Sequence, residues 1–151
     1  MTTTLPLTMQ AIENDGFHLK ISIKINGKKA CLILDTGASR TVFDETRIAN
    51  FIGNDTLKKH DRLSTGLGTT TMTSKKVTLK KIQLGNLVIK DYQATILDLQ
   101  HVNQSYLKLD LDPVDGVLGG DILNDYQAVI DYKNEALVLN MRHKRLLKSK
   151  N

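Results

Sequence analysis

The sequence predicts a mainly β protein, a small closed barrel or sandwich carrying one or two short helices. Three observations lead there. His18–Ile25 alternates apolar and polar residues, with Leu19, Ile21, Ile23 and Ile25 on one face. Asn26-Gly27 follows as a tight-turn pair, and Lys28–Leu34 returns as a strand whose apolar end reads as buried on both faces. Further short apolar runs recur down the chain, separated by turn residues, as in closed all-β folds.

The elements follow in order. Residues 1–16 read as an N-terminal segment, 17–140 as the folded domain and 141–151 as a basic tail. The 18–34 hairpin delivers Asp35 to a turn in the interior. Val42-Phe43 is a short strand, and Asp44–Ile52 has a helix-like pattern with Asp44 as its candidate N-cap. Asp55–Arg62 is polar and unpatterned. Ser64–Thr71, with two glycines, reads as the tip of a mobile hairpin. Val77–Leu84 is a strand whose apolar phase slips, which suggests a bulge. Gly85-Asn86 turns the chain, and Leu87–Ile89 and Tyr92–Leu97 are strands. Asp98–Pro113 reads as a long loop. Val114–Leu118 runs into a short helix capped by Asp121, and Ala128–Tyr132 and Ala136–Asn140 close the domain as strands around a turn at Lys133-Asn134-Glu135.

Composition narrows the functional classes. The 151 residues suit one domain, and 40% hydrophobic content suits one core. No apolar run reaches eighteen residues, so no membrane span is expected. The N-terminal stretch lacks a basic n-region and a continuous apolar stretch, so no secretory signal is read and a cytoplasmic location is expected. Cys31 is the only cysteine, which excludes an internal disulfide, and its apolar surroundings read as a buried reduced thiol. The four histidines show no metal-ligand spacing, and no metal or cofactor is expected. The net charge is +5, much of it in Arg142–Lys150. The remaining positive charge reads as scattered and the strands carry no aromatic stacking set, so no nucleic-acid partner is expected.

Asp35-Thr36-Gly37, directly after Cys31-Leu32-Ile33-Leu34, is the most informative stretch. A Gly-rich tip at Gly66 and Gly68 follows about thirty residues later, and Val117-Leu118-Gly119-Gly120-Asp121-Ile122-Leu123 comes after that. In that order and spacing the chain resembles the retropepsin-like aspartic proteases, the cellular and bacterial members more than the retroviral ones. Asp115–Leu123 and Ile130-Asp131-Tyr132-Lys133-Asn134 carry the closest likeness, which covers roughly 17–140. The resemblance implies a small closed acid-protease barrel that acts on peptides as a homodimer. It assigns catalysis to Asp35, Thr36 and Gly37, and substrate binding to Ser39 and to Gly66, Leu67 and Gly68 of a flap. It also places Gly119 close behind the active loop.

The chain itself agrees on one point. The chemistry needs two carboxylates, and only one Asp-(Thr/Ser)-Gly is present, so a second Asp35 must come from another copy. The rival reading is a weakly active or inactive module of the same fold that dimerises or binds peptides. Two departures bear on the chemistry. Ser39 stands where retroviral enzymes often carry Asp, so retroviral specificity does not transfer. Ala38 stands where pepsin-like enzymes usually carry Ser. Without that hydroxyl the charged form of the site has fewer donors, so the pH–rate profile is expected to peak in weakly acidic solution. A peak below about pH 3 contradicts this reading of Ala38.

Overall fold

The computed structural model describes residues 1–53, 58–64 and 72–143, with side chains described outside 58–64, 72 and 73. The chain runs β1 (Thr2–Pro6), β2 (Thr8–Ala11), β3 (Phe17–Ile25), β4 (Lys28–Leu34), β5 (Val42–Asp44) and α1 (Ala49–Ile52). It continues through β6 (Lys58–Ser64), β7 (Met72–Leu84), β8 (Leu87–Leu97), α2 (Gln100–Lys108) and β9 (Gly116–Leu118). α3 (Gly120–Asp125), β10 (Val129–Asp131) and β11 (Ala136–Asn140) complete it.

The larger sheet has the order β2-β3-β4-β9-β5-β8-β7-β6, and β3 also pairs with β7. That extra ladder, Lys24↔Gln83 and Ile25↔Ile82, closes six strands into a barrel. The predicted closed β fold is therefore what the chain adopts. Ile21, Ile23 and Ile25 point inward as their alternation predicts, against Leu32, Phe43, Leu79, Ile82, Leu84, Ile96 and Leu118. Asn26 and Gly27 both take positive φ, +50° and +84°, the geometry of a two-residue hairpin turn.

A second, three-stranded sheet has the order β1-β11-β10. β1 pairs with β11 from Thr2↔Asn140 to Pro6↔Ala136, and β2 pairs with β3. Residues 1–16, read as a segment apart, thus supply two strands to the sheets. Leu5, Leu137 and Leu139 are buried there.

Several local expectations change. There are three helices among the described residues instead of one or two. α2 occupies the stretch read as loop: Asp98 Oδ1 accepts the Gln100 N–H at 2.9 Å, and Val102, Asn103, Tyr106 and Leu109 share its shielded side. The polar Asn103 breaks the apolar stripe that would have marked a helix. Its amide bonds both ways with one residue, donating to the Val114 carbonyl (3.1 Å) and accepting its N–H (2.8 Å). Asp44 does accept the Arg47 N–H at 3.1 Å, as an N-cap would, but only Ala49–Ile52 is helical. β6 lies where no strand was read. The phase slip of β7 is not a bulge against β8: the register is the same on both sides of Lys80, because β8 slips at Asp91 (φ +52°) in step with it.

Asp115 is buried and ties β4 to β5. Its Oδ2 accepts the Cys31 N–H at 2.8 Å, its Oδ1 pairs with Arg47 Nε at 2.7 Å, and its carbonyl accepts the Asp44 N–H. Asp115→Ala leaves the Cys31 N–H without its acceptor and Arg47 without its partner. The urea midpoint is expected to fall by the equivalent of about 1–3 kcal/mol, and an unchanged midpoint contradicts this role.

Candidate active site

The site is built by one topological demand. β9 lies between β4, its parallel neighbour, and β5, its antiparallel neighbour. The link between β4 and β5, residues 35–41, must therefore cross the outgoing end of β9. Asp35 is the first residue of that crossing, and its N–H donates to the Leu118 carbonyl at 3.0 Å.

The crossing is close. A Cβ on Gly119 would lie 2.6 Å from the Arg40 carbonyl carbon and oxygen and 2.9 Å from the Ala38 oxygen. Only glycine fits there, as the resemblance implied. The Gly120 N–H donates to the Ala38 carbonyl at 2.7 Å. The buried Thr41 hydroxyl accepts the Gly119 N–H (3.0 Å) and donates to Asp121 Oδ1 (2.7 Å), which also accepts the Thr41 N–H (2.8 Å). Asp121 Oδ2 accepts the Tyr92 hydroxyl from the barrel wall at 2.7 Å. Asp121 is thus a tie between α3, the crossing loop and β8, and Gly119 occupies the N-cap position expected of it.

Held this way, the loop presents Asp35 outward. Asp35, Thr36 and Gly37 are exposed on this single chain, and the expected interior position of Asp35 is not observed. The reason is that β4 ends at Leu34 and the loop rises over β9 instead of turning into the core. Within the loop, the Gly37 N–H donates to Asp35 Oδ1 at 2.9 Å, and the Ala38 N–H donates to the Asp35 carbonyl at 3.2 Å. A Cβ at Gly37 would come within 3.2 Å of the same Asp35 oxygen. Among the described residues the Thr36 hydroxyl has no partner. It borders an open groove of about 370 Å³ whose apolar wall is Leu123, Ala128 and Ile130. Beside it, β10 is paired on one side only among the described residues, and Val129 is 58% exposed.

Ser39 is exposed on the same loop. Gly66, Leu67 and Gly68 lie outside the described residues; the strands that flank them pair at Leu63↔Thr73 and Ser64↔Met72. Among the described residues no cluster of three or more His, Cys, Asp or Glu could hold a metal, and no helix is long and apolar enough to cross a membrane. Thr41 and Tyr92 were not singled out from the sequence, and neither stands in a motif that would mark it.

Burial and then the Asp121 carboxylate push the Tyr92 phenol well above its ordinary value. The neutral phenol is therefore favoured by folding, and that share of stability is lost as pH rises past about 10, where an unfolded tyrosine ionises. Tyr92→Phe is expected to flatten the stability curve above about pH 10 by up to about 1.4 kcal/mol per pH unit. Chemical denaturation at a series of alkaline pH values checks this; an equal slope in both proteins contradicts it.

A family model described as aspartyl protease matches residues 21–122. A search of curated proteins gives no significant match. Among solved structures, a retropepsin-like aspartic protease from Rickettsia conorii is 20% identical, with a TM-score of 0.53 over 92% of this chain and 90% of that one. The retroviral protease-like domain of Ddi1 from Leishmania major is 15% identical, with a TM-score of 0.59 over 82% and 88%. The EIAV protease, solved with the inhibitor HBY-793, is 22% identical, with a TM-score of 0.50 over 76% and 93%. At these identities the likeness to the solved structures is one of fold.

Proposed function

The chain belongs to the aspartyl protease family, and from that premise we propose that it is an aspartic endopeptidase whose active unit is a homodimer. The observation that carries the proposal is Asp35 itself: a carboxylate exposed at the head of a tightly held loop, with one oxygen bonded by the Gly37 N–H. We assign the activity to residues 17–140 together with β1, which pairs with the last strand of that unit.

In the proposed dimer the two Asp35 carboxylates meet on a two-fold axis about 3 Å apart and share one proton, because like charges so close cannot both ionise. The ionised carboxylate takes a proton from a water, that water attacks the peptide carbonyl, and the other carboxyl donates to the developing oxyanion. No covalent intermediate forms. The Gly37 N–H holds the orientation of Asp35. Thr36, without a partner among the described residues, bonds across the axis and fixes the spacing. Gly66, Leu67 and Gly68 close over the substrate, and an extended peptide is aligned by main-chain hydrogen bonds.

The unpaired edge of β10 supports this placement of the axis. It lies beside Thr36, presents Val129 and Ile130, and offers backbone N–H and C=O groups that a second copy can pair with. Two copies of the β1-β11-β10 sheet joined there make one sheet of six strands. The carboxylate then leaves bulk water, as the chemistry requires.

The test compares wild type with Asp35→Asn on an unbiased peptide library at high protein concentration, from about pH 4 to 7.5. Wild type is expected to cleave and the variant to lose at least about 10³-fold in rate. Equal cleavage by both contradicts the role of Asp35. No cleavage by either, with a dimer present, favours the binding module.

A further inference from the structure

We propose that the outer face of β4, β3, β7 and β8 is a docking surface for the phosphodiester backbone of a nucleic-acid duplex. These four strands carry nine lysines and one acid, Asp91; alternation puts seven of the lysines, at 20, 24, 29, 76, 80, 81 and 90, on the outer side, while Lys28 stands opposite buried Ile25 and Lys75 opposite buried Ile96. The rest of the chain offsets them: residues 1–143 hold all 16 acids and 17 of the 21 basic residues. Lysines that read as scattered along the sequence fall on neighbouring strands of the barrel wall.

The arrangement opposes stability. Lys24 faces Lys29 directly across β3 and β4, and Lys81 faces Lys90 directly across β7 and β8. Like charges in directly opposed positions repel. All four are exposed, and among the described residues none is paired with a carboxylate. By contrast Lys20 lies over the Tyr106 ring, Lys28 donates to the Asn50 carbonyl, and Lys75 pairs with Glu45. Two repulsive pairs left open side by side are the kind of local cost kept for a ligand.

The shape selects among anions. Lys24 and Lys29 flank a cleft of about 260 Å³ that also presents Ser22 and Gln83, two neutral hydrogen-bonding side chains. Lys24 is opposite Gln83 on β7, and Lys81 is two residues along that strand. A discrete phosphate enters such a cleft, flanked by lysine point charges; a flat bilayer cannot. Among the described side chains of these strands the exposed large apolar ones are Val88 and, at the start of β3, Phe17, so these offer little to insert into lipid. With no aromatic platform across the four lysines, contact is to the backbone of a duplex and is independent of base sequence.

The proposal is tested on the full chain by fluorescence anisotropy of a labelled short DNA duplex over a salt series. Binding is expected to weaken linearly in a log–log plot as salt rises. The pair Lys24→Gln with Lys81→Gln should reduce that slope by about two and weaken different duplex sequences equally. It should also melt at or above the wild-type temperature, since repulsion is relieved. Lys108→Gln with Lys133→Gln, off this face, should change nothing. The proposal is overturned by no binding at low salt, by equal loss in both pairs, or by binding that vanishes on removal of 144–151 while Lys24 and Lys81 have no effect. Phosphatidylserine vesicles bound in preference to duplex overturn it as well. None of these readouts depends on proteolysis.

Discussion

Everything at the candidate site depends on how the chain crosses β9. A strand inserted between two others forces their connection over its end, and that connection has no ladder of its own to hold it. Here it is held by three groups in series. Gly119 gives the space, the Thr41 hydroxyl receives its N–H, and the Asp121 carboxylate receives both Thr41 donors and the Tyr92 phenol. Hydrogen bonds to a carboxylate are roughly twice as strong as neutral ones, and buried networks of this kind rigidify when every member is satisfied. No buried side-chain polar atom among the described residues is left without a partner. The loop that carries Asp35 is thereby fixed to two elements at once, the barrel wall and α3.

That rigidity gives the exposure of Asp35 its meaning. A loose loop with an exposed aspartate would be ordinary. In the proposed dimer, the clamped loop with its outward carboxylate, the Thr36 hydroxyl and the edge of β10, both without a partner among the described residues, form the surface that meets a second copy. The two halves of the molecule divide the work accordingly. The barrel supplies the core and the crossing loop, while the β1-β11-β10 sheet supplies the edge. The lysine-bearing strands form the outer wall of the barrel, so the two surfaces draw on different strands.

The legible parts of this fold were those governed by local rules. The alternation of Leu19, Ile21, Ile23 and Ile25, the Asn26-Gly27 turn and the apolar run into Asp35 all follow from pleat geometry and turn chemistry. The motif around Asp35 and the Gly119-Gly120 pair were readable because few residues satisfy a crossing so close. What escaped depended on partners distant in sequence. The structural role of Asp115 was not readable because Cys31 and Arg47, which meet on it, lie 84 and 68 residues away. Asp121 looked like a cap because its ligands, Thr41 and Tyr92, lie 80 and 29 residues away. α2 was hidden because Asn103 replaces an apolar residue with one that serves the backbone of Val114. The outward position of Asp35 was missed because a strand's apolar end does not reveal whether the next residue enters the core or climbs over a neighbour.

The central claim is that two copies of Asp35 make one site. The most direct measurement holds wild-type protein at a fixed concentration and adds increasing Asp35→Asn variant while peptide cleavage is followed. If each site needs both carboxylates, mixed dimers are inactive and the rate falls steadily below that of wild type alone. A rate that stays constant as the variant accumulates would mean that one chain holds a complete site, and would contradict the account.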